Sequence, residues 1–179
     1  MSNGYKMTIA GLERELPFCP IDDTLDIAAF IMFSDVELTT AAATELLKKA
    51  PEFDVLLTAE SKGIPLAYEM ARQSGKNYVV ARKSIKLYMQ DPVSVTVKSI
   101  TTSTVQTLYL SHADLELMQG KRVLIVDDVI STGESLTALE KLCDKVGGKP
   151  CGKSAVLAEG DAANRDDIIF LEKLPLFFK

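Results

Sequence analysis

The run VLIVDDVISTGES, Val123 to Ser135, narrows the fold of this chain more than any other stretch. Val123 to Val126 read as a buried strand. Two adjacent carboxylates, Asp127 and Asp128, follow, and a Thr132-Gly133 turn then opens onto a helical pattern. A strand that turns directly into a helix start aims several backbone N–H groups at one point, where a phosphate can sit. Ser131, Thr132 and Ser135 add hydroxyl donors. The paired acids stand just before that point, placed to grip sugar hydroxyls or a hydrated metal ion. The run reads as a receptor for a phosphorylated sugar.

The rest of the chain supplies a scaffold for such a turn. DVLLTA (54–59), NYVVAR (77–82), VLIVDD (123–128) and SAVLAE (154–159) are short apolar runs bounded by polar or turn residues, as in strands buried on both faces. Helical patterns lie between them. Thr39 to Ala50 carries Ala43, Leu46, Leu47 and Ala50 on one side and stops at Pro51. Ile64 to Gln73 is a second helix, ended by Ser74-Gly75. Ser135 to Val146 is the third, with Leu136, Leu139, Leu142, Cys143 and Val146 in a stripe and Gly147-Gly148 as its stop. This alternation predicts an α/β fold, a Rossmann-like open parallel sheet with helices on both faces.

Two regions break the rhythm. Residues 93–110, VSVTVKSITTSTVQTLYL, alternate with period two around Ser/Thr-rich centres, which predicts a two-stranded lid with a mobile tip, spanning about 90–110. Residues 1–38 and 160–179 are apolar but irregular, and are expected to form a small hood over a core of about 39–159. At 179 residues the chain suits a single domain.

Composition limits the partners. Lys+Arg total 20 and Asp+Glu 25, a net charge of −5, which disfavours nucleic acid as a general partner. Any anionic substrate must be met by local positive charge. Three scattered cysteines, Cys19, Cys143 and Cys151, suit reduced thiols in a cytoplasm. The N-terminus lacks the apolar core of a signal peptide, and no apolar run approaches the roughly 20 residues of a membrane span, so a cytoplasmic protein without membrane contact is expected.

The order of strand, two acids and Thr-Gly loop resembles the phosphoribosyl-pyrophosphate (PRPP) motif of the type I phosphoribosyltransferases. The resemblance implies that Asp127 and Asp128 hold the ribose hydroxyls and that Ser131, Thr132, Gly133, Glu134 and Ser135 form the 5′-phosphate loop. It implies Mg²⁺ carried by PRPP, with the two acids acting through water. Glu60-Ser61-Lys62-Gly63 resembles the diphosphate loop of the adenine branch, with Lys62 where that branch has arginine. Arg82, Lys83 and Lys86 end the next strand and would reach the same diphosphate, Arg82 across a homodimer. Residues 93–110 match in place the loop that closes over PRPP, so Asp127, Asp128 and the lid hydroxyls Thr101, Thr102 and Ser103 are the catalytic candidates. For the base, the candidates are Phe33 and Asp35 in FIMFSD, Val129, Ile130 and Glu159.

The resemblance implies a purine phosphoribosyltransferase of nucleotide salvage, with adenine as the expected base. Xanthine and hypoxanthine enzymes of the same fold stay open. The chain has no acid from Val93 to Leu110, where the adenine branch carries a glutamate implicated in catalysis. A PRPP-binding regulatory protein without catalysis therefore stays open too. Gly147 to Ser154, GGKPCGKS, matches the letters of an NTP-binding P-loop. It lies after a helix and before a strand, the reverse of what that cradle needs, and Pro150 removes an amide.

Overall fold

A computed structural model describes residues 4–98 and 105–179. In chain order the elements are β1 (Gly4–Ile9), β2 (Leu12–Pro20), β3 (Leu25–Ala28), α1 (Val36–Lys49), β4 (Val55–Ala59), α2 (Ile64–Ser74), β5 (Asn77–Ala81), β6 (Val93–Lys98) and β7 (Val105–Leu110). They continue with α3 (His112–Met118), β8 (Arg122–Ile130), α4 (Glu134–Lys145), β9 (Lys149–Glu159), a 3₁₀ turn (Gly160–Asn164), β10 (Ile169–Leu174) and β11 (Phe177–Phe178).

The centre is a five-stranded parallel sheet in the order β10-β9-β8-β4-β5. Every residue of β4 is buried. Val55, Leu57 and Ala59 pack with Leu136, Leu139 and Leu142 of α4, whereas Leu56 packs with Leu38 and Leu46 of α1 and Leu66 and Met70 of α2. Helices thus cover both faces, which is why these strands read as unbroken apolar runs. The fold class expected from the sequence is the one observed.

The path of the chain opens a crevice. From β4 it passes through α2 to β5 at one edge, and from β8 through α4 to β9 on the other side. Because α2 and α4 lie on opposite faces, the chain leaves the adjacent strands β4 and β8 toward opposite sides of the sheet. Ligands of open parallel sheets bind at such a switch point, beyond the strand C-termini.

The N-terminal third is not irregular. β1, β2, β3 and β11 form a four-stranded antiparallel sheet. The turn between β1 and β2 holds Ala10 (φ 51°) and Gly11 (φ 81°), both left-handed, as a two-residue hairpin of this hand requires. Only one of the two is glycine, which hides the turn from a reading of letters. The C-terminal segment, expected wholly in the hood, divides. β10 joins the core sheet as an edge strand parallel to β9, and only β11 crosses to pair with β3. The apolar run of β10, Ile169 to Leu171, is half-buried, and Leu174 is buried at its end. Phe177 anchors the crossing, its ring 5.1 Å from Tyr5 and 4.9 Å from Phe18.

The lid is an antiparallel ribbon, β6 with β7, in register from Val93↔Leu110 to Lys98↔Val105. Its base is tied to the core: Leu108 and Leu110 are buried, and Lys145 of α4 donates to the Ser94 carbonyl at 2.6 Å. The catalytic candidates Thr101, Thr102 and Ser103 lie outside the described residues. The short helix α3, absent from the sequence reading, begins with a capping box. Ser111 Oγ accepts from the Asp114 N–H, and the Asp114 carboxylate accepts from the Ser111 N–H at 2.8 Å.

Candidate active site

β8 runs through the two acids to Ile130, two residues past its expected end. Asp127 and Asp128 are therefore strand residues, and adjacent strand side chains leave on opposite faces. Asp128 is 4 % exposed, and its Oδ2 lies 2.9 Å from Lys62 Nζ. Lys62 Nζ also donates to the Phe30 carbonyl at 2.8 Å, linking the end of the hood to the acid pair. Asp127 Oδ1 accepts from the Asp128 N–H at 2.8 Å and from Ser61 Oγ at 3.3 Å. Burial, reinforced by the Asp128 carboxyl, pushes the Asp127 pKa upward. The loops after β4 and β8 thus meet across the crevice through two contacts, Ser61 to Asp127 and Lys62 to Asp128.

Gly63 makes that meeting possible. A Cβ on it would stand 3.0 Å from Asp127 Oδ1 and from Thr58 Oγ1, and 3.2 Å from Asp127 Cα. Any side chain would press the start of α2 off β8. Pro65 sits in the first turn of α2, where a missing N–H costs nothing.

Residues 131–135 curl around a hollow of about 50 Å³ that Asp127 also lines. Gly133, at φ 79°, is left-handed, and α4 starts at the next residue. The Gly133 carbonyl accepts from the Thr137 N–H at 2.9 Å, closing the first helical turn. Loop amides and helix N-terminus thus converge beside the acids, the arrangement that suits a phosphate. Glu134 stands in the first turn of α4, where the helix dipole favours a negative charge.

The second group of candidates separates into two roles. Ser61, Lys62 and Gly63 face the acid pair. Glu60 faces the cations instead: its carboxylate accepts from the Lys83 N–H at 2.9 Å and lies 3.3 Å from Arg82 Nη2 and 3.6 Å from Lys86 Nζ. The Lys83 N–H, then Arg82 and Lys86, hold its pKa below the usual carboxylate range. A carboxylate repels a diphosphate, and the Glu60 side chain instead arrays the cations around it. Arg82 is braced by two 2.8 Å backbone bonds to Tyr109 at the lid base. Its Nε is buried with no hydrogen-bond partner among the described residues.

The base candidates are scattered. Phe33 is 54 % exposed and lines a groove of about 250 Å³ with Met32, Val36, Pro65 and Tyr68, just past the Lys62 loop. Val129 is half-buried against the core on the α1 and α2 side. Ile130 is buried in the core on the α4 side, so its side chain is packing material. Glu159 ends β9 half-buried. Burial raises its pKa, and Lys62 partly offsets the rise.

Asp35 lines the same groove as Phe33 and also holds local structure. It caps α1 by accepting from the Leu38 N–H at 3.0 Å, and it pairs with Arg14 of β2 through contacts of 2.7 and 3.1 Å. This cap starts α1 at Val36, three residues before the expected start. Arg14 holds the Asp35 pKa below its ordinary value. Stability from the pair is therefore present above the ordinary carboxylate range and is lost as the pH falls through the lowered value. Asp35→Asn keeps a capping oxygen and removes the charge, so it should cost about 1 kcal/mol at pH 7. Urea unfolding should show the gap closing below pH ~4; a gap undiminished at pH 3 would exclude the ion pair as its source.

Among the described residues no three His, Cys, Asp or Glu side chains converge as a metal cage. Two adjacent acids, one already paired with Lys62, fit a hydrated Mg²⁺ held chiefly by a substrate's oxygens. The P-loop letters at Gly147 to Ser154 form no cradle: residues 149–154 belong to β9. Lys153 points to two carboxylates, Glu140 at 3.0 Å and Asp167 at 2.6 Å. The contact least visible to sequence reasoning was the Phe30 carbonyl, because a backbone acceptor carries no side-chain signal.

Comparison with known proteins bears on this geometry. Residues 36–173 match the phosphoribosyl transferase domain. The chain is 33 % identical over 146 residues to the adenine phosphoribosyltransferase of Rhodococcus jostii, covering 81 % of this chain and 78 % of that protein. It is 30 % identical over 152 residues to the xanthine phosphoribosyltransferase of Exiguobacterium sp., covering 83 % and 78 %. The structure superposes on the adenine phosphoribosyltransferase of Giardia lamblia complexed with 9-deazaadenine, with a TM-score of 0.70 and 20 % identity over 93 % of this chain and 98 % of that one. That level of identity speaks to the fold alone. Among the described residues no helix is long and apolar enough to cross a membrane.

Proposed function

The chain belongs to the phosphoribosyltransferase family, and from that premise we propose that it transfers the 5-phosphoribosyl group of PRPP to adenine, giving a nucleoside monophosphate and diphosphate in nucleotide salvage. The observation that carries this reading is the crevice at the switch point, where the anion loop after β8 and the cation loop after β4 meet through Lys62 and Asp128 at 2.9 Å. A ligand with phosphate groups at both ends matches a site with anion-binding groups at both ends.

In this reading residues 131–135 hold the 5′-phosphate through amides and hydroxyls, and Asp127 and Asp128 accept from the ribose hydroxyls. Lys62, Arg82 and Lys86 hold the diphosphate. Lys62 pairs with Asp128 in the free protein, so it exchanges that carboxylate for the diphosphate when PRPP enters. The C1–O bond breaks with the electron pair leaving on diphosphate, a base nitrogen forms the new bond to C1, and that nitrogen sheds its proton. The developing sugar cation resembles that of glycoside chemistry. The protein's part is to orient both reactants and keep water out under the β6–β7 ribbon. Mg²⁺, when bound with PRPP, neutralises charge on the leaving group. Phe33 and Glu159 are the base-side candidates. Exposed Ile85, Leu87 and Tyr88 near Arg82 support a homodimer that covers this loop. A cytoplasmic location goes with this chemistry.

The test is formation of labelled nucleotide from PRPP, Mg²⁺ and each of adenine, hypoxanthine, guanine and xanthine. AMP from adenine is the expected product. Turnover of only the oxopurines would transfer the assignment to the xanthine or hypoxanthine branch. Tight PRPP binding with no product from any base would instead make the chain a PRPP-binding regulator, as the acid-free segment from Val93 to Leu110 allows.

A further inference from the structure

Behind the phosphate loop lies a row of charges of alternating sign that the site described above does not use. Glu140 on α4 pairs with Lys153 on β9 at 3.0 Å, and Lys153 pairs with Asp167 at 2.6 Å. Asp167 accepts twice from Arg165, from Nε at 2.8 Å and from Nη2 at 2.7 Å. With one edge of the guanidinium held, Nη1 is left on the other side. It stands 2.7 Å from the point where a Cβ on Gly133 would be. The connection from β9 to β10 brings Arg165 back over the N-terminus of α4, and the Arg165 side chain rests on the one left-handed glycine of the phosphate loop.

The chemistry of the row is specific. A bidentate arginine–carboxylate pair is planar and fixes the guanidinium in orientation, which a lysine cannot reproduce. Asp167 is itself held from behind by Lys153, whose side chain is largely buried. The lysine of the false P-loop therefore acts on the phosphate loop at two removes. A side chain at position 133 would meet Arg165, and the guanidinium sits where the dipole of α4 is already positive.

We propose that Arg165 is a positioning residue for the 5′-phosphate. Its guanidinium, locked by Asp167 and Lys153, holds Gly133 in the conformation that turns the loop amides inward, and it raises the local positive potential. This rests on the reading of residues 131–135 as the phosphate loop.

The experiment compares wild type, Arg165→Gln, Arg165→Lys and Lys153→Ala by PRPP kinetics and by direct binding of ribose 5-phosphate and of inorganic diphosphate. Arg165→Gln should raise the KM for PRPP and the Kd for ribose 5-phosphate about tenfold, with kcat within about twofold. Diphosphate affinity should not move, because its cations belong to the loops after β4 and β5. Arg165→Lys, which keeps the charge without the fork, and Lys153→Ala should each show about a threefold loss. Unchanged ribose 5-phosphate binding in Arg165→Gln overturns the proposal, and so does an equal loss for both ligands, which would mark a general structural defect. If folded wild type binds no ribose 5-phosphate, the functional reading falls with it; if wild type binds and Arg165→Gln binds equally well, only the role of Arg165 falls.

Discussion

Replacing Asp128 by asparagine is expected to weaken PRPP binding by about 2 kcal/mol, roughly thirtyfold. Asparagine keeps the shape and one acceptor oxygen, but it loses the charge that makes a hydrogen bond from a sugar hydroxyl strong. The site works partly against the effect. Asp128 is nearly buried and faces Lys62 at 2.9 Å, so the substitution also frees that ammonium, which no longer has to give up its carboxylate when diphosphate binds. Binding of inorganic diphosphate to Asp128→Asn separates the two contributions. Diphosphate affinity should hold or rise, and a loss equal to that for PRPP would mark a general defect instead of a lost ribose contact. Calorimetric titration with PRPP and Mg²⁺ is the measurement, and an unchanged affinity in Asp128→Asn would remove the acid from the ribose site.

Gly63→Val is expected to lower stability by about 2 kcal/mol and to abolish PRPP binding at concentrations that saturate wild type. The first added carbon already stands 3.0 Å from Asp127 Oδ1 and Thr58 Oγ1 and 3.2 Å from Asp127 Cα, and valine adds two methyls beyond it. Relief requires α2 to move away from β8, which separates Ser61 from Asp127 and Lys62 from Asp128. For a chain of 179 residues the melting temperature should fall by about 4–8 °C. A Gly63→Val protein with wild-type melting and PRPP affinity would show that the close approach of the two loops is not needed for binding.

These two residues also mark where the sequence is readable. The strand end, acid pair and turn around Asp128 were legible because they occur in one continuous run, and local order alone tells such a run from the false P-loop at Gly147. The loop at Lys62 was legible as a strand end with a cation. That Lys62 would pair with Asp128, 66 residues later, had no local signature. Asp35 and Glu60 show the converse. Each is an acid next to a predicted site, and a carboxylate has the same letter whether it meets a ligand or an arginine. Arg14 claims Asp35, and Arg82 with Lys86 claims Glu60. The hood was misread because the turn at Ala10-Gly11 and the edge strand β10 depend on neighbours that do not adjoin them in sequence.

The amino-acid order by itself determined the parallel α/β class, the three long helices, the position of the turn after β8 and the acids beside it. Each of these follows from periodicity and backbone chemistry within a dozen residues. Only the tertiary structure decided that the loops after β4 and β8 share one crevice, that Lys62 occupies Asp128 in the free protein, and that Arg165 rests on Gly133. Those facts depend on sheet order, which sends α2 and α4 to opposite faces, and on distances between side chains that the chain brings together from far apart.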